Sequence, residues 1–97
     1  MVAYVVVIRE KLSDSEELAA YVAKAREASA KHAMTIRALH GRQRFVEGPQ
    51  CETVTILEFP TFEEAERWYD DPAYRDALAH RFRAGEYRAV IVDGVSP

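Results

Sequence analysis

Glu58 is the residue whose type and position ask the sharpest chemical question. It shares the alternation of Val54 and Ile56 in the apolar run Thr53 to Phe59, so a carboxylate stands where a central strand would carry a hydrophobe. Burial would raise its pKa toward the range of a general acid or base, whereas a neighbouring guanidinium would keep it ionised. A structural ion pair and a catalytic or ligand-facing acid are both open. Arg81 is the partner candidate, because it falls on the stripe of Tyr74, Ala77, Leu78 and Phe82. From there it either packs its stem on the core or clamps an anionic ligand through paired N–H donors. Arg83 beside it reads as a solvated surface charge.

Three imidazoles complete the acid–base inventory: His32, His40 and His80. His40 precedes Gly41 in a segment expected to border a cavity, and it is the histidine candidate for moving a proton. His32 sits at the end of a helical apolar stripe, where packing or a helix-terminus role fits it better. No His-x-x-x-His or histidine–carboxylate spacing nominates a metal centre. Tyr4 offers a hydroxyl from the sheet and Trp68 an aromatic face, either as core or as ligand platform. Cys51 is the one cysteine, which excludes an internal disulfide and a C-x-x-C motif. A phosphate loop, a dinucleotide fingerprint and a hydrolase triad are likewise absent. No metal and no cofactor are expected.

The elements that must position these groups are well punctuated. Val2 to Ile8 is a β-branched and aromatic run ending at charged Arg9-Glu10-Lys11, which predicts a first strand. Ser13 with Glu16 forms a capping box for a first helix, whose Leu18, Tyr21, Val22, Ala25, Ala28 and His32 recur at three- and four-residue steps. Ile36 to Val46 predicts a second, more exposed strand with a bulge or bend at Gly41, followed by a turn at Glu47-Gly48-Pro49. Thr53 to Phe59 is the third strand. Pro60 stops it, and Thr61 with Glu64 caps a second helix. Asp71-Pro72 divides that helix from a third, which runs to a C-terminal cap at Gly85. Tyr87 to Asp93 is the last strand.

This order predicts an α+β fold of ferredoxin-like βαββαβ type, a four-stranded antiparallel sheet with its helices on one face. Ninety-seven residues, 48% of them hydrophobic, make one domain spanning 1–97 with a core large enough to need no staple. The strands are apolar on both sides: Ala3, Val5 and Val7 oppose Tyr4, Val6 and Ile8, and Val54 and Ile56 oppose Leu57 and Phe59. Val90 and Val92 oppose Ala89 and Ile91 in the same way. One helical layer covers only one side, and an open apolar face of several hundred Å² is rare on a monomer. A second copy across a two-fold axis is the simplest cover, so a homodimer is expected, with a barrel-like core between the sheets.

Charge narrows the partners further. Thirteen Lys+Arg against sixteen Asp+Glu give a net charge of -3, with both signs interspersed, which disfavours nucleic acid. No run approaches the roughly 20 apolar residues of a membrane span, and the N-terminus lacks the basic region and cleavage site of a signal peptide. A cytoplasmic location follows as the expectation.

Four segments carry a family resemblance: Ala3-Tyr4-Val5-Val6-Val7, Leu57-Glu58-Phe59-Pro60, Ala65-x-x-Trp68-Tyr69-Asp70-Asp71-Pro72-x-Tyr74 and Val90-Ile91-Val92-Asp93-Gly94. Across nearly the whole chain they resemble domain-of-unknown-function family 1330. That resemblance implies a dimeric α+β barrel, in a superfamily that includes cofactor-free quinol-type monooxygenases, muconolactone isomerase and haem-binding chlorite dismutase-like proteins. Kinship this broad transfers no chemistry. Where relatives often carry Gly-Gly and an Arg-Gly-Gly element before the hairpin, this chain has Ala33-Met34 and Leu39-His40-Gly41.

The functional expectation is a small-molecule-binding protein or cofactor-free enzyme whose cavity lies between helices and sheet or at the dimer seam. Glu58, Arg81, His40 and Tyr4 are its polar lining. Proton transfer on a small carbonyl-containing or aromatic compound would be the economical chemistry, with Glu58 as base and Arg81 stabilising an oxyanion. The alternative is a non-catalytic dimer in which Glu58 and Arg81 complete a buried polar network.

Overall fold

The computed structural model describes residues 1–96. Its elements run β1 (Ala3–Leu12), α1 (Ser15–Ser29), β2 (Thr35–Leu39), β3 (Thr53–Phe59), α2 (Phe62–Asp70), α3 (Pro72–Ala84) and β4 (Gly85–Asp93). The four strands form one antiparallel sheet in the order β2-β3-β1-β4. The most β-branched strands, β1 and β3, therefore occupy the middle. This is the expected ferredoxin-like order, with the second helical segment split in two.

Local chemistry explains most boundaries. Thr61 is extended and its Oγ1 accepts from Glu64 N–H at 3.1 Å, opening α2. Asp71 then takes a non-helical ψ of 128°, as a residue before proline prefers. Its carboxylate accepts from Ala73 N–H at 2.9 Å and so caps α3, with Pro72 in the first turn.

Three local expectations are corrected. The cap of α1 is Asp14, whose carboxylate accepts from Glu16 and Glu17 N–H at 3.0 and 3.1 Å. Ser13 instead donates its hydroxyl to Ala84 O at 3.1 Å, tying the end of β1 to the end of α3. The second strand stops at Leu39 rather than Val46, because His40 turns out of it with φ 53°. The irregularity expected at Gly41 falls between Ile36 and Ala38. Finally, β4 begins at Gly85 itself, extended at φ 171° rather than in a left-handed cap. Glycine is required there by proximity: a Cβ would sit 2.2 Å from Lys11 O.

The core lies between the helical layer and one sheet face. Val5, Leu57 and Phe59 meet Ala65, Trp68, Tyr74, Ala77 and Leu78 there. Trp68 packs its ring 4.1 Å from Tyr74 and 5.3 Å from Phe59, centroid to centroid. Its indole N–H donates to Ser29 Oγ at 3.0 Å, so the largest core side chain leaves no donor unpaired. The opposite face has no helices. Val90, Val6 and Ile56 follow one another across it in register, beside Val92, Tyr4 and Glu58. Val90 is 56% exposed and Val92 47%.

Candidate functional site

Helix α1 packs along α3 and stands over the sheet as one wall of a cleft of about 480 Å³, within the roughly 300–1,000 Å³ typical of small-molecule sites. Leu18, Tyr21, Val22 and Ala25 front it from α1. Val7, Thr55 and Leu57 form its floor, and Met34, Ile36 and Leu39 close the β2 side. At its inner end are Trp68 and Arg81, both buried, and the half-buried Tyr87. The walls are mainly apolar. The charged residues are all of one sign: Arg9, Arg26 and Arg81 line the cleft along with His32 and His40, and no aspartate or glutamate does.

Arg81 is 3% exposed, the one buried charged residue among those described. Its Nη1 donates to Tyr74 Oη at 3.4 Å, while its Nε is buried without a partner. Aromatic rings surround the guanidinium: Tyr87 at 5.1 Å, Tyr21 at 5.7 Å and Phe82 at 5.9 Å from its carbon to their centroids. Among the described residues no carboxylate forms an ion pair with it. Removing a guanidinium from water costs several kcal/mol, and ring faces return only part of that. The Tyr87 hydroxyl is also buried without a hydrogen bond. Burial of this kind is exceptional, since nearly all buried polar atoms find partners. Beside these two, Tyr21 Oη and Tyr74 Oη are 2.8 Å apart. Burial, with Tyr21 close by, pushes the Tyr74 hydroxyl far above the usual phenol range.

Two histidine–carboxylate contacts fasten the flanks of α1. His80 Nδ1 is 2.6 Å from Glu17 Oε2, and the Glu17 carboxyl is held below its ordinary value by that contact and by Arg83. His32, just past the helix end, places Nε2 2.8 Å from Asp71 Oδ2. Hydrogen bonds from His32 and from Ala73 N–H lower Asp71 similarly.

The five site residues named from sequence divide between the two sheet faces. His40, Trp68 and Arg81 line the cleft, with His40 exposed at its edge. Glu58 and Tyr4 sit opposite each other in register on the helix-free face. Glu58 and Arg81 are therefore not partners. Arg37 donates to Glu58 from Nε and Nη2, both at 3.2 Å, in a fork–carboxylate pair. That pairing raises the Arg37 pKa further above its ordinary value. Tyr21, Tyr87, Arg9 and Arg26 were not singled out by sequence as site residues. Parity was the available signal for two of them, because Arg9 and Tyr87 continue the helix-side alternations of Val5-Val7 and Ile91-Ala89. Among the described residues, no group of three or more His, Cys, Asp or Glu side chains is arranged to hold a metal ion, and no helix is long and apolar enough to cross a membrane.

Sheet order, one helical layer and a cleft beneath α1 define the ferredoxin-like class, and solved structures of that class superpose on the chain. A protein of unknown function from Rhodopseudomonas palustris is similar at 20% identity and a TM-score of 0.72, over 99% of this chain and 84% of its own. A Dabb family protein with a ferredoxin-like fold from Mesorhizobium loti matches at 15% identity and 0.65, over 98% of each. A dimeric ferredoxin-like protein of unknown function from Thermobifida fusca matches at 12% and 0.59, over 93% and 87%. No curated protein matches the sequence. The chain belongs to the family described as Domain of unknown function (DUF1330), whose model matches residues 2–95.

Proposed function

We propose that residues 1–97 act as one domain that pairs with a second copy and holds a small molecule in the cleft of each subunit. The observation that carries the binding reading is the pair of unsatisfied polar atoms, Arg81 Nε and Tyr87 Oη, on residues that line a mainly apolar cleft. A site of that composition, largely hydrophobic with a few fixed polar groups, is what small-molecule recognition requires. Pairing of subunits is supported by the open apolar face around Val6, Ile56 and Val90 and by the dimeric description of the Thermobifida fusca and Bacteroides fragilis neighbours. Glu58 and Tyr4 would then lie at the seam between subunits. A cofactor-free enzyme is the second reading, favoured by His40 at the cleft edge, where an imidazole can exchange a proton with a bound molecule and with water.

Trp68 is the chain's one tryptophan and it lines the cleft, so the site carries its own reporter. Titration with the neutral apolar dye N-phenyl-1-naphthylamine should quench Trp68 emission by energy transfer, saturably and with one dye per subunit. An unsaturable response, or none, would leave the purely structural dimer as the better account.

A further inference from the structure

From the hydrogen-bond order at the buried end of the cleft we infer that its occupant is an organic anion, a carboxylate on a flat apolar body, whose charged end lies against Arg81. This rests on the cleft being a binding site and specifies what the site takes.

Tyr74 is fully buried, and its hydroxyl has two neighbours within hydrogen-bonding reach, Arg81 Nη1 and Tyr21 Oη. Arg81 has no acceptor to offer. Either hydroxyl of the Tyr21–Tyr74 pair can donate; the order in which Tyr74 accepts from Arg81 and passes its own proton to Tyr21 Oη is the one that leaves no idle donor on the fully buried Tyr74. Tyr21 consequently keeps its own proton free. It is half-buried and lines the cleft, so that proton has the cleft to point into. Arg81 Nε supplies a second donor and Tyr87 Oη a third, both without partners. The guanidinium carbon is 5.7 and 5.1 Å from the Tyr21 and Tyr87 ring centroids, so the three donor-bearing side chains are neighbours.

Donors without acceptors, around a buried cation with no counter-ion, describe a receptor for negative charge. The rest of the lining agrees in sign. Arg9 is already answered by Glu52 at 3.1 Å, but Arg26 adds to the field, and the cleft contains no acid to oppose it although the chain as a whole carries -3. A neutral ligand would leave the guanidinium uncompensated. A cationic one would be repelled. The aromatic and aliphatic walls select a flat apolar remainder.

The experiment compares 1-naphthoate with 1-naphthamide, equal in shape and different in charge, each displacing N-phenyl-1-naphthylamine under Trp68 detection. Naphthoate should bind about tenfold tighter or better, and Arg81→Met should abolish that preference. Tyr87→Phe, which removes a hydroxyl that bonds to nothing in the protein, should fold and weaken naphthoate several-fold; it carries the test should Arg81→Met fail to fold. Equal binding of acid and amide overturns the inference while leaving the cleft a binding site. So does displacement by neither when the dye itself binds. A preference that survives both substitutions overturns it as well. Failure of the dye, the acid and the amide alike removes the binding reading together with this one.

Discussion

The two faces of the sheet are incomplete in opposite ways. On the helix side, a packed core adjoins the cleft, and there Arg81 is enclosed without a counter-ion. On the open side, charge is settled, because Glu58 accepts from Nε and Nη2 of Arg37, yet Val90 and Val92 are about half exposed. Each deficiency identifies the kind of partner that relieves it. An unpaired buried charge calls for an ion that can be admitted and released, whereas an apolar sheet face calls for a matching surface. One strand alternation serves both, since consecutive residues of β1 and β3 look in opposite directions.

Breaking either face should have effects of different size and kind. The largest is expected from Trp68→Ala, which empties the centre of the helix side and should cost about 3–5 kcal/mol in urea unfolding. Next comes Val6→Asp, placing a charge in the middle of the open face. It should turn a two-subunit sedimentation mass into that of one folded subunit, and a species that stays paired would show that this face is not the seam. Arg81→Met should have the unusual sign: replacing an uncompensated buried cation by a hydrophobe should leave the ligand-free protein equally stable or up to about 2 kcal/mol more so. The corresponding change on the other face, Glu58→Gln, touches a pair whose Arg37 side is exposed and should cost about 1 kcal/mol. A destabilised Arg81→Met would mean that the guanidinium also serves the fold, and Tyr87→Phe would then separate the two roles.

The gentlest probe is acid. Glu17 and Asp71, which fasten the two ends of α1, have ordinary values of 4.5 and 3.8 and are lowered in the folded protein. A depressed carboxyl stabilises the folded state fully above its unfolded pKa and loses that contribution as the pH falls through its folded pKa. Thermal midpoints should therefore decline below about pH 4.5, and less steeply in Glu17→Gln.

Much of the fold was legible because its signals are local. The period-two alternation of Ala3 to Ile8 set both sheet faces, and Asp71-Pro72 divided α2 from α3 through proline's own sterics. The buried stripe of α3 correctly held Arg81. What failed to show depended on long-range placement. Sequence offers no means of knowing that a register shift at Arg37 would bring its guanidinium onto Glu58, 21 residues away. Gly41 attracted attention as the flexible residue, yet His40 adopts the left-handed conformation. Ser13 and Asp14 both have capping side chains, and the choice between them was made by Ala84 O, which takes the Ser13 hydroxyl from the far end of α3. Tyr21 read as packing because its partner Tyr74 is 53 positions further on.

Helix α3 passes into β4 with no loop between Ala84 and Gly85, and this elbow is clamped against β1 by Ser13 and Asp14 N–H on Ala84 O and by the close approach of Gly85 to Lys11. Arg81 and Tyr87 stand on its two arms. Their spacing is thus fixed by a rigid joint and cannot be tuned by lengthening or shortening a connection, whereas residues 40–52, between β2 and β3, have no such constraint. On the proposed binding reading, divergence among relatives should accordingly alter the length and shape of molecule that fits past His40 far more readily than the headgroup chemistry set by Arg81 and Tyr87.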